Sequence, residues 1–99
     1  MSPLLAPDLP EIERTLDVLM GRNKEARLLA MRSPIRRNWP EAVERDGRRF
    51  RIAWCPSELD LREQLDQWED SDEGVVLLTP LDATVLGDDV VARFPRGRL

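Results

Sequence analysis

Ninety-nine residues are enough for one hydrophobic core and too few for two. With 41% apolar and 34% charged residues the chain reads as a compact domain with a heavily charged surface, and its net charge of −4 argues against a dedicated nucleic-acid binder. Histidine is absent and cysteine occurs once, which removes Ser-His-Asp and Cys-His catalysis, histidine-ligated zinc, an internal disulfide and a cysteine-cluster metal site.

Taken in chain order, residues 1–7 (MSPLLAP) read as a loose lead-in and residues 8–99 as a single α/β domain. Asp8 can cap a helix, Pro10 suits its first turn, and Glu11 and Glu13 favour its positive end. Ile12, Leu16, Leu19 and Met20 recur at helical spacing, and Gly21 is the expected stop. ARLLAM, Ala26 to Met31, is the first strand, apolar enough to be covered on both faces, and it ends at Arg32-Ser33-Pro34. Next comes the polar connection IRRNW, where Trp39 can either anchor a partner or fold back over the core.

Asp46-Gly47 predicts a type I′ hairpin, since Gly supplies the positive φ without strain. Ala42 and Val43 lie on its short edge arm. Phe50, Ile52 and Trp54 alternate with Arg49, Arg51 and Ala53 on the outgoing strand, the period of a strand with one buried face. Ser57 then caps a helix to about Glu69 with Leu61, Leu65 and Trp68 as its stripe and Leu59 at the margin. The acidic string from Glu69 to Glu73 is a turn, Gly74 admits the apolar strand Val75 to Leu78, and Asp88 or Asp89 starts a short helix with Val90, Val91 and Phe94 facing inward. Strand-helix-strand units imply parallel pairing. The expectation is a small Rossmann-like α/β sandwich with a three-stranded parallel core, an antiparallel hairpin edge arm and about three helices. Arg93, Arg96 and Arg98 close the sequence straight after a helical pattern, as in an excerpt from a longer protein.

Two candidate sites follow. The three parallel strands all end near a proline, and ligands of open α/β sheets bind at such carboxyl ends. Ser33, Cys55, Ser57, Thr79, Asp82, Gly87 and Asp88 would line that rim. A helix start beside Cys55 would lower its thiol pKa, and Asp82, Asp88 and Asp89 could gather a magnesium ion. The simpler reading is that Pro punctuates strands while Ser57 and the aspartates cap helices.

The second site is electrostatic. Seven arginines between Arg32 and Arg51 face three acids, whereas eleven acids between Glu58 and Asp89 face Arg62 alone. Such segregation can steer a partner, or it can cancel if the hairpin arginines lie beside the acidic helix. The candidate partner surface is Arg36, Arg37 and Trp39 with Arg45, Arg48, Arg49 and Arg51. No signal peptide or membrane-length apolar run is present, so a cytoplasmic location is expected.

Three pieces stand out between Ala26 and Leu99: Cys55-Pro56-Ser57 with Leu61-Arg62-Glu63, the LLTPLD turn from Leu77 to Asp82, and Leu86-Gly87-Asp88-Asp89-Val90 running into Ala92-Arg93. Through them this stretch resembles the amino-terminal region of PglZ proteins, the phosphatase-like components of phage growth limitation and BREX phage-defence systems, and most of all the type 2 branch. The resemblance implies a parent whose metal-dependent, alkaline-phosphatase-like core lies beyond Leu99, so no catalytic residue and no cofactor falls on this stretch. It implies a non-enzymatic docking domain whose partners are other defence proteins and the downstream domains of its own chain. The competing expectations are a small nucleotide- or phosphate-binding module at the strand ends, and a DNA contact through the stretch from Arg32 to Arg51 that the acidic remainder opposes.

Overall fold

In the computed structural model, which describes residues 6–69 and 73–92, the element order is α1 (Leu9–Arg22), β1 (Leu28–Arg32), β2 (Ala42–Arg45), β3 (Arg48–Trp54), α2 (Glu58–Glu69), β4 (Gly74–Thr79), a 3₁₀ turn (Ala83–Val85) and α3 (Asp88–Val91). The strands form one mixed sheet in the order β1-β4-β3-β2, with β1, β4 and β3 parallel and β2 antiparallel at one edge. This is the expected α/β class: a three-stranded parallel centre, an antiparallel edge arm and, among the described residues, three α-helices.

β4 occupies the middle because GVVLLT is the one strand with no charged side chain to keep wet. All six of its residues are buried. Val75 and Leu77 face one core, with Leu28, Ala53, Cys55, Leu61, Leu65, Leu86 and Val90. Val76 and Leu78 face the other, with Ile12, Leu16, Met20, Leu29, Val43 and Phe50. The result is three layers: α1 on one face, α2 and α3 on the other, and the sheet between them.

β3 departs from the expected single buried face. Phe50, Ile52 and Trp54 do face α1, but Ala53 and Cys55 are buried in the α2 core. A strand flanked by β4 and β2 has helices on both sides, so its small residues are covered as well. The hairpin has the expected turn, with φ of 53° at Asp46 and 75° at Gly47, both values that type I′ requires.

Local signals account for most boundaries. Asp8 Oδ1 accepts the Glu11 amide at 2.8 Å and starts α1. Gly21 does not stop that helix, which continues to Arg22 and closes at Asn23, whose amide bonds the Leu19 carbonyl at 3.0 Å. Ser57 Oγ accepts the Asp60 amide at 3.3 Å and donates to the Asp60 carboxylate at 2.7 Å, an acidic cap at the positive end of α2. At the other end of α2, Arg27 donates to the Trp68 carbonyl at 3.4 Å and lies 5.6 Å from the Trp68 ring centre, pinning the helix to the start of β1. Part of the acidic turn, residues 70–72, and the Phe94 position lie outside the described residues, as do residues 1–5. Ala6, at the end of the lead-in, is buried.

Gly74 is matched to Phe50 across the β3–β4 register, and a Cβ there would overlap the Phe50 ring edge. Phe50 is fully buried and capped on its outer side by Arg48 at 5.3 Å. The missing side chain is the space the ring fills. Gly74→Ala is therefore expected to destabilise the fold by about 1–3 kcal/mol, the cost of overpacking a closed core. Urea denaturation of the two proteins measures it, and a shift below about 0.5 kcal/mol would contradict the packing argument.

Candidate functional site

The seven residues of the electrostatic surface do not converge. Arg45, on β2, pairs with Glu13 and lies 3.2 Å from Asp17, both on α1. Arg48 donates through both terminal nitrogens to the carbonyls of Lys24 and Ala26, closing the turn before β1. Arg51 projects to the opposite face and donates to Gln67 Oε1 on α2 at 3.0 Å. Arg49 is exposed. The hairpin's positive charge is thus largely spent on internal ties, and more of it on the acids of α1 than on the acidic helix α2.

Arg36, Arg37 and Trp39 stay together. Trp39 folds back: its Nε1 donates to the Pro7 carbonyl at 2.9 Å, and its ring stacks on Trp54 at 5.8 Å with a 35° tilt. Arg37 donates to the Ala6 carbonyl at 3.0 Å, so two residues of one loop hold the strand that leads into α1. Around them Asp8, Leu9, Ile35, Arg36, Asn38 and Pro40 complete an open cleft of about 490 Å³. Ile35 is 55% exposed at its wall, and Arg36, also exposed, has no ion-pair partner among the described residues.

The strand-end rim exists as a place but its side chains are occupied. Ser33 and Thr79 are fully buried. Ser33 Oγ donates to the Ile35 carbonyl at 2.5 Å, and Thr79 Oγ1 accepts the Leu81 amide at 3.2 Å. Ser57 is the α2 cap already described. Asp82 accepts the Thr84 amide at 3.1 Å and lies 3.7 Å from Arg32; that amide, more than the guanidinium, holds its carboxyl below the usual range. Gly87 donates its amide to Glu58 Oε1 at 3.4 Å, and Asp88 is exposed in the single turn of α3.

Arg62 holds this corner together, donating to Asp89 at 2.5 and 3.1 Å and to Glu58 at 2.8 Å. The fork lowers the Asp89 carboxyl and raises Arg62 itself. Asp82 and Asp89 therefore serve different partners, while Asp88 is exposed. Among the described residues no group of three or more His, Cys, Asp or Glu side chains is arranged to hold a metal ion. Sequence reasoning missed Arg62 as a hub, although its signal was present: the lone base among eleven acids, four residues after Glu58.

Cys55 corrects the sequence expectation in sign. The thiol is fully buried between β3 and α2, and burial, reinforced by Asp60 and only partly opposed by Arg51, pushes its pKa up to about 12. Desolvation outweighs the helix start. Its backbone amide bonds the Leu78 carbonyl at 2.7 Å, so the residue continues the β3–β4 ladder.

These observations describe a rim whose Ser33, Ser57, Thr79 and Asp82 side chains are engaged in local bonds, and a loop cleft with unpaired charge and exposed apolar surface. A family model described as the BREX system PglZ N-terminal domain matches residues 9–99. The chain belongs to that family. The match begins at α1, so the PglZ N-terminal domain includes the helix that carries one of the two cores. Neither the curated proteins nor the solved structures contain a match to the chain. No helix among the described residues is long and apolar enough to cross a membrane.

A protonated, buried thiol is inert, because the thiolate is the nucleophile. At about pH 8, the native chain should react with a disulfide reagent such as DTNB at least a hundredfold more slowly than the urea-unfolded chain. The linkage has a definite sign: above the unfolded thiol's ordinary value the unfolded state releases a proton that the folded state keeps until about pH 12. Stability attributable to Cys55 thus falls as pH rises through that window. Rapid native labelling would contradict the burial of this thiol.

Proposed function

We propose that the chain is a non-catalytic docking domain that joins a PglZ protein to other proteins of its BREX system, and so takes part in anti-phage defence. The observation that carries this reading is the cleft between the α1 entry and the 33–40 loop. Trp39 and Arg37 fix its floor through the Pro7 and Ala6 carbonyls, while Ile35 and Arg36 are left to solvent. A rigid aromatic beside an exposed aliphatic and an unpaired arginine has the composition of an interface anchor.

The narrowed surface is Ile35, Arg36, Arg37 and Trp39. Arg45, Arg48 and Arg51 support the hairpin instead, and Arg49 stands apart. The partner segment such a cleft fits is an acidic stretch with an apolar anchor, contributed by another defence protein or by a later domain of the same chain. Phosphate or nucleotide binding at the strand ends is the weaker reading: Ser33, Ser57 and Thr79 are engaged in local bonds, and Asp82, Asp88 and Asp89 would repel an anion.

Pull-down of the wild-type chain against the other proteins of its system, compared with the Ile35→Asp/Arg36→Glu double variant, tests the proposal. Expected is capture of at least one partner by the wild type, a loss of affinity of tenfold or more in the variant, and an unchanged urea midpoint, since both side chains are exposed. Equal capture by both chains would reject this surface.

A further inference from the structure

The open edge of β1 carries an inference independent of the docking reading. The Arg27 carbonyl accepts the Val75 amide at 2.8 Å and the Ser33 amide donates to the Thr79 carbonyl at 2.8 Å. In a parallel ladder the residues bonded to one neighbour alternate. Arg27, Leu29, Met31 and Ser33 therefore turn their backbone groups toward β4, while Leu28, Ala30 and Arg32 turn theirs outward, to an edge with no strand beyond it among the described residues.

The two edges of the sheet differ. β2 presents only Ala42 and Glu44 outward, given that the Glu41 carbonyl bonds the Ile52 amide, and it is short, charged, and packed under α1. Charge and shortness are how exposed edges are protected from pairing. β1 is one residue longer and less charged: its edge is LLAM followed by one arginine, without proline, and its single charge lies at the end.

We propose that β1 pairs antiparallel with β1 of a second copy about a two-fold axis at Ala30, extending the four-stranded sheet across a homodimer. The register is self-consistent. Centring on Ala30 sets Leu28 opposite the second copy's Arg32, so that every outward donor and acceptor meets its complement in three reciprocal pairs. Leu29 then meets Met31 on the α1 face, where Met31 is half-buried against the α1-side core. The residue on the axis is small and uncharged. The two Arg32 side chains stand about 14 Å apart along the strands at ~3.4 Å per residue, beyond the ~8–10 Å over which salt leaves charges in contact, and each has Asp82 at 3.7 Å.

One edge and two apolar pairs bury less than the ~1,200 Å² of a standard stable interface, so the dimer forms in a concentration-dependent way. Closed two-fold pairing is also the commonest route to a homo-oligomer.

Sedimentation equilibrium of the full chain from low micromolar to millimolar concentration, with two site-specific readouts, tests this. The mass should rise toward twice the monomer value. Ala30→Cys should form a disulfide-linked dimer at least tenfold faster than Glu44→Cys, because directly paired Cα atoms about 5.5 Å apart fall within the roughly 4.4–6.8 Å that a disulfide spans. Buried Cys55 does not compete. The amides of Leu28, Ala30 and Arg32 should gain exchange protection as concentration rises, with those of Leu29 and Met31 protected throughout. A monomer at all concentrations with equal crosslinking of the two cysteine variants would overturn the proposal. So would a dimer whose outward β1 amides stay unprotected, since its interface would then lie elsewhere.

Discussion

The structure depends on β4 lying between β1 and β3 with both faces covered. Its six buried residues hydrogen-bond to a parallel strand on each side and separate two cores that share no side chain. The hydrophobic gain is large because each of Val75, Val76, Leu77 and Leu78 is at most 1% exposed. Its two ends impose the remaining constraints. At the start, Gly74 lies under the Phe50 ring. At the finish, Thr79 is buried beside Ser33, and the chain must turn at Pro80 toward α3.

That constraint also shapes the candidate sites. The carboxyl ends of β1, β3 and β4 meet at one rim, where an α/β enzyme would build its chemistry. Here the rim is closed by short local bonds and by Arg62, which draws α2 and α3 together through Glu58 and Asp89. The unpaired groups lie farther out, in the loop that carries the chain from β1 to the hairpin. The chain belongs to the PglZ N-terminal domain family, and the serine and threonine side chains at its strand ends are engaged in local bonds.

The sequence made legible whatever was decided within a few residues. Asp46-Gly47 specified its turn because it is one of the few dipeptides that tolerate two positive φ values cheaply, and Asp8 and Ser57 specified helix starts through their own side-chain bonds. The resemblance carried by Cys55-Pro56-Ser57, LLTPLD and the Gly87-Asp88-Asp89 step pointed to the right family. What stayed hidden depended on which elements become neighbours. Arg45 and Arg48 looked like a surface until α1 and the turn at Lys24 came beside them. The helix start beside Cys55 suggested a lowered thiol pKa, but the depth of its burial is fixed by Leu61 and by residues farther along the chain, Leu77 and Val90. Gly21 looked like a stop because glycine is common just past a helix end, yet the helix runs on through Arg22 and closes at Asn23.

Native-state hydrogen exchange across the sheet tests the dependence on β4 most directly. If this strand is the structural spine, the amides of Val75 to Leu78 exchange only through global unfolding, with a protection free energy equal to that from urea denaturation. Exchange of those amides as fast as that of β2, through local opening, would show that the fold does not rest on β4.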